Sequence, residues 1–161
     1  MTTTAFQDLP ATARAWIYQS NKPFPAEDLP QLKEQVNRFA QHWVSHNRML
    51  RASGDVLHGQ FIVLMVDENQ ADASGCSIDK SVHFLKQIEN AYGVDLFDRM
   101  TFTWLDGDTV RTAGSEEFAR LYREGIITDS TLVFDNLVKT KGELEEKWLK
   151  PLNASWHRRF V

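Results

Sequence analysis

The residues best equipped for chemistry lie in one stretch. Asp67-Glu68 closes an apolar run, and Gly75-Cys-Ser-Ile-Asp-Lys-Ser81 opens a helical one. Cys76 is the only cysteine. A thiolate just ahead of a helix is stabilised by the backbone dipole and by a nearby cation such as Lys80. With Asp67 or Glu68 as acid or base, Cys76, Lys80, Asp67 and Glu68 hold the parts of a thiol-dependent enzyme. The same stretch also makes a binding loop without any chemistry. Free amides at a helix start, together with Gly75, Ser77, Asp79, Lys80 and Ser81, suit a small anion or the acidic group of a partner. Both readings stand on the residues alone.

Local rules account for most of the stretch. Ser77 reads as the N-cap, Asp79 falls in the first turn where the dipole favours an acid, and Gly75 shapes the turn. Lys80 does not fit, because a cation so near a helix start opposes the dipole by a few tenths of a kcal/mol. Either Asp67 or Glu68 answers it, or an anionic ligand does. Ser81 falls near the middle of the apolar stripe and reads as a small residue conceded to packing.

The region also imitates a nucleotide site. Phe61-Ile-Val-Leu-Met-Val-Asp67-Glu68 resembles a Walker B strand, and Gly75-Cys-Ser-Ile-Asp-Lys80-Ser81 the end of a Walker A loop. The phosphate loop needs glycine directly before its lysine, and Asp79 stands there instead, where a carboxylate repels the phosphates. The two segments also come in inverted order, so ATP hydrolysis is not expected. His42 and His46 are four apart on a predicted helix, a metal-sharing spacing, but no third ligand follows and they read as edge-of-core residues. His58 and His157 read as solvent-facing. No metal or cofactor is expected.

Those residues need a scaffold. Residues 14–18 are aromatic and β-branched, a strand. Leu32, Val36, Phe39, Ala40 and Trp43 recur as on an amphipathic helix, which starts at Ala26 or at Leu29. Residues 49–57 and 61–66 predict a hairpin through His58-Gly59-Gln60, its second strand apolar throughout and so covered on both faces. A second helix carries Ile78, Val82, Leu85, Ile88 and Tyr92, with Gly93 as its C-terminal cap. A strand over 100–105 and a return near 109–112 follow.

The class is therefore α+β, with the β-α-β-β-α-β order of a ferredoxin-like core. That topology sets the 67–80 loop near Arg14, Asp106 and Asp108, and residues 19–22 at the other edge. Residues 113–161 form a C-terminal extension with a helix over 115–123, a strand over 131–135, a helix over 142–150 and an aromatic tail. Residues 1–12 read as a frayed arm on a single 161-residue domain.

The net charge of −4 supplies no broad basic surface, which argues against nucleic acid and anionic membrane as partners. The longest apolar run, residues 61–66, is too short to cross a bilayer, and no leader is visible. A soluble, cytoplasmic protein is expected, with a small anion, another protein or a second copy of itself as partner. Trp16-Ile-Tyr-Gln-Ser-Asn-Lys-Pro-Phe24, Ser74-Gly-Cys-Ser-Ile-Asp-Lys-Ser81 and Tyr92-Gly-Val-Asp-Leu-Phe-Asp-Arg99, with the 61–68 run, resemble a family of short bacterial proteins. Its members often carry the label "ABC transporter ATPase". The resemblance spans about residues 16–160 and implies no catalytic roles.

Overall fold

The computed structural model describes residues 5–69 and 71–161. Its elements run β1 (Arg14–Gln19), α1 (Leu29–Gln41), β2 (Val44–Ser45), β3 (Arg48–Met49), β4 (Arg51–Leu57), β5 (Phe61–Asp67) and α2 (Gly75–Tyr92). They continue with β6 (Thr101–Asp106), β7 (Thr109–Gly114), α3 (Ser115–Arg123), β8 (Leu132–Phe134), α4 (Lys141–Lys147) and β9 (Leu149–Pro151). The fold is α+β, and every strand pairing is antiparallel.

β5 organises the interior because all seven of its residues are apolar or sealed. Strand side chains alternate between faces. Ile62, Leu64 and Val66 therefore meet Leu32, Val36 and Ala40 of α1 and Leu85 and Ile88 of α2. Phe61, Val63 and Met65 meet Phe134, Leu144 and Trp148 from the C-terminal chain. The two-sided cover expected of this strand is thus supplied by helices on one face and by the extension on the other. At Gly54 of β4, α1 comes so close that an added Cβ would lie 2.8 Å from Val36 Cγ1 and 2.9 Å from the Val36 carbonyl oxygen.

The order β1-β5-β4 is that of the first three strands of the ferredoxin-like unit. The fourth place is where the expectation needs correcting. β6 touches the end of β1, where Gln19 Nε2 donates to the Thr101 carbonyl at 2.8 Å. It then leaves for a second sheet of order β7-β6-β8-β9. Phe102 and Trp104 draw it there, into a cluster with Phe118, Ile127, Val133 and Leu152. Residues 139–141 take the vacated edge, with Ala15 N donating to Lys139 O and Lys141 N to Ala13 O, both at 2.9 Å.

Other boundaries differ for local reasons. The first helix begins at Leu29, after a 3-10 turn over Ala26–Asp28, and Pro30 sits in its first turn where no amide is needed. It ends at Gln41, so Trp43 is buried from a connector and His46 sits in a turn at φ 50. His42 and His46 therefore share no helical face. The final helix gives way to β9 at Leu149. The arm is docked over its described part. Leu9 is 3% exposed, and its carbonyl accepts from Lys141 Nζ at 2.7 Å. Residues 1–4 of that arm, and Gln70 in the loop before α2, lie outside the described residues. Among the described residues no helix is long and apolar enough to cross a membrane.

Candidate functional site

The start of α2 is one residue group earlier than its sequence suggests. Ser74, in extended conformation, is the N-cap, and its Oγ accepts from Ser77 N at 3.1 Å. Ser77, expected as the cap, stands one turn inside. It is fully buried, its Oγ accepting from Ser74 N at 2.7 Å and donating to Ser74 O at 2.8 Å. Two serines three apart thus satisfy each other, as in a capping box with a hydroxyl replacing the usual Glu or Gln. Trp43 Nε1 donates to Ser77 O at 2.8 Å and pins this turn to the core.

With Ser74 as cap, Cys76 belongs to the first turn of α2 and does not precede it, and its side chain is exposed. Lys80 and Asp79 are exposed on the same helix. Ser81 is buried, as its place on the stripe required, and its Oγ donates to Ile78 O at 2.6 Å. Burial pushes the phenol of Tyr18 up, and the Ser81 hydroxyl beside it acts in the opposite sense.

The two acids are spent elsewhere. Asp67 is 5% exposed; its Oδ2 takes Arg51 Nη1 at 3.2 Å and its Oδ1 the Asn69 amide at 3.1 Å. Glu68 Oε2 accepts from Ala73 N at 2.9 Å, while Oε1 stands 4.0 Å from Arg14 Nη1. The Arg14 guanidinium lies 4.5 Å over the Trp16 ring. Neither acid pairs with Lys80, and among the described residues no carboxylate reaches its ammonium within ion-pair distance. Nor does any imidazole or carboxylate among them hydrogen-bond the Cys76 sulfur.

Arg14 stands beside the loop as the topology required, while the Asp106 carboxylate, on a strand that joins the second sheet, faces Arg111 at 3.4 Å. Clefts of about 310 Å³ between α1 and α2, near Phe39 and Phe84, and about 580 Å³ at the far end of α2, near Lys86 and Asp98, are lined by other residues.

A second polar cluster was not foreseen. His157, expected in solvent, is 1% exposed, its ring stacked 3.8 Å from that of Trp156 and its Nδ1 2.6 Å from Ser155 Oγ. Nearby Asp135 accepts from Lys150 Nζ at 2.7 Å and from Trp156 Nε1 at 2.8 Å. These are the types of a Ser-His-Asp triad without its geometry, since Asp135 orients lysine and tryptophan and the serine is buried. The aromatic spacing Trp156-His-Arg-Arg-Phe160 was the available signal that this tail docks.

Comparison with family models, with curated proteins and with solved structures finds no match.

Proposed function

We propose that this chain is a binding or assembly module that receives a small anion, or an acidic group of a partner protein, at the start of α2. The observation that carries the reading is Lys80, an exposed cation near a helix N-terminus with no carboxylate of the described chain to answer it. The amides of Gly75 and Cys76 lie in the first turn, where helix N–H groups have no intrahelical acceptor. Together with Lys80 they offer what an oxyanion uses at a helix N-terminus. Membership of the short bacterial family and a cytoplasmic setting belong to the same proposal, and ATP hydrolysis does not.

The thiol-dependent reading keeps one point in its favour, the exposure of Cys76. It lacks a base, because Asp67 is held by Arg51 and Glu68 by the Ala73 amide. Binding without chemistry fits this arrangement better.

Thermal melting with inorganic phosphate, sulfate and nucleotides tests the proposal. A bound anion at about 100 times its Kd adds about 2.7 kcal/mol of stability. The melting temperature should rise for the wild type and much less for Lys80→Ala. No rise with any of these anions, or an equal rise in the variant, refutes the site. Iodoacetamide labelling against pH tests the alternative: Cys76 reacting as an ordinary free thiol removes the enzyme.

A further inference from the structure

We propose that residues 154–161 form an acid-operated latch, in which His157 holds the C-terminal tail on the second sheet only while its imidazole is neutral. The backbone makes such a unit separable. Leu152 N donates to Thr131 O at 2.8 Å and Asn153 N to Asp129 O at 3.0 Å. Beyond Asn153 the tail's backbone bonds among the described residues reach back only to Leu152, by Ser155 N to Leu152 O, and otherwise close on the tail itself, Arg158 N to Ser155 O and Val161 N to Arg158 O. Side chains therefore hold it. Trp156 and Phe160 set their rings 5.5 and 5.0 Å from Phe102, and His157 lies 5.0 Å from the same ring.

A proton on His157 would find no free carboxylate inside, only the neutral Ser155 hydroxyl 2.6 Å from Nδ1. Asp135 is the nearest acid, but Lys150 takes its Oδ2, and Trp156 Nε1 and the Leu137 amide take its Oδ1. Of the charged groups around the ring, Asp135 from the β8 end favours the proton and Lys150 from β9 opposes it. α3 presents Phe118, while its Glu117 and Arg120 pair on the exposed side, and Glu116 and Arg123 line a cleft with Phe160. β6 presents Phe102. On the tail itself, Arg158 turns to Asp129 at 3.6 Å, and Arg159 is exposed. An imidazolium here is a buried charge without a free counter-charge, and lifting the tail into water is the way to relieve it.

Burial, ahead of the opposing effects of Asp135 and Lys150, holds His157 down to about 4. An open tail titrates near the ordinary value of about 6.5. Between those values the open state takes up the proton and the closed state does not. Closure is therefore firmest above about pH 6.5, weakens as pH falls, and loses no more below about 4. The opening constant rises about 20-fold from pH 7 to pH 5 by this linkage.

Amide hydrogen exchange of the full chain, corrected for intrinsic rates, reads this directly. Wild-type peptides covering 154–161 should lose protection about 20-fold between pH 7 and 5, while the β5 peptide keeps its own. His157→Gln, which cannot titrate, should flatten the response. Should that variant fail to fold, the closed-state His157 Cε1 signal of the wild type, followed by NMR, must stay that of a mostly neutral imidazole down to about pH 5 while the tail loses protection. Flat tail protection in the wild type overturns the latch. So does an equal loss in His157→Gln, a parallel loss in β5, or a His157 that titrates near 6.5 while the tail stays closed.

Discussion

Aspartate placed at Ser74 and at Ser77 should have opposite consequences, although the two serines are three residues apart on one turn. Ser74 is the N-cap, at φ −104 and ψ 168, with its side chain accepting from Ser77 N. Asp is as good a cap as Ser, and its charge faces the positive end of the dipole, worth about 0.3–1 kcal/mol. Ser74→Asp is therefore neutral to slightly stabilising. Ser77 is fully buried and donates to Ser74 O at 2.8 Å. A carboxylate there keeps the Ser74 N–H as a donor but cannot donate to Ser74 O, so two bare oxygens face each other in the buried turn that Trp43 Nε1 anchors. Losing that hydrogen bond at a buried position costs about 1–3 kcal/mol. For a chain of this size that is about 2–4 °C of melting temperature per kcal/mol, so Ser77→Asp should melt roughly 2 °C or more below the wild type. Thermal melts followed by circular dichroism decide the matter. Equal stability of Ser77→Asp and the wild type, or a loss above about 1 kcal/mol in Ser74→Asp, refutes the assignment of the helix start. Ser74→Asp also places a carboxylate at the Gly75 and Cys76 amides, so phosphate should stabilise that variant less than the wild type.

Two further outcomes follow from the packing. Gly54→Ala drives a Cβ to within 3 Å of Val36 Cγ1 and its carbonyl; α1 must shift, and urea unfolding should show a loss of about 1–3 kcal/mol. Ser45 Oγ is buried with no hydrogen-bond partner among the described residues, so Ser45→Ala should raise stability by about 1 kcal/mol in the same assay, and a loss would contradict that.

The sequence was informative wherever one periodicity decided the structure. The six-residue apolar run at 61–66 made β5 central, and Leu85 with Ile88 set the inner face of α2. It misled where partners distant along the chain compete. β6 looked like the fourth strand of the first sheet, but Phe102 and Trp104 bury better beneath α3, and residues 139–141 fill the edge. No local pattern carries that choice. His157 reads as polar from composition, and only the aromatic neighbours gathered by the fold make it a core residue. At the candidate site the helix start was legible to within a turn, but the cap was displaced by three residues because a Ser-x-x-Ser pair lacks the acid of the usual box. The fates of Asp67 and Glu68 depended on Arg51 and on the Ala73 amide, neither of which the spacing selects.

Two-dimensional amide NMR with added inorganic phosphate tests the binding reading most directly. The account predicts that the Gly75 and Cys76 amide signals shift saturably, before any others, and that Lys80→Ala weakens the apparent affinity several-fold. Signals at 75 and 76 that stay fixed while phosphate reaches high millimolar concentration would contradict it, as would shifts spread evenly over the chain.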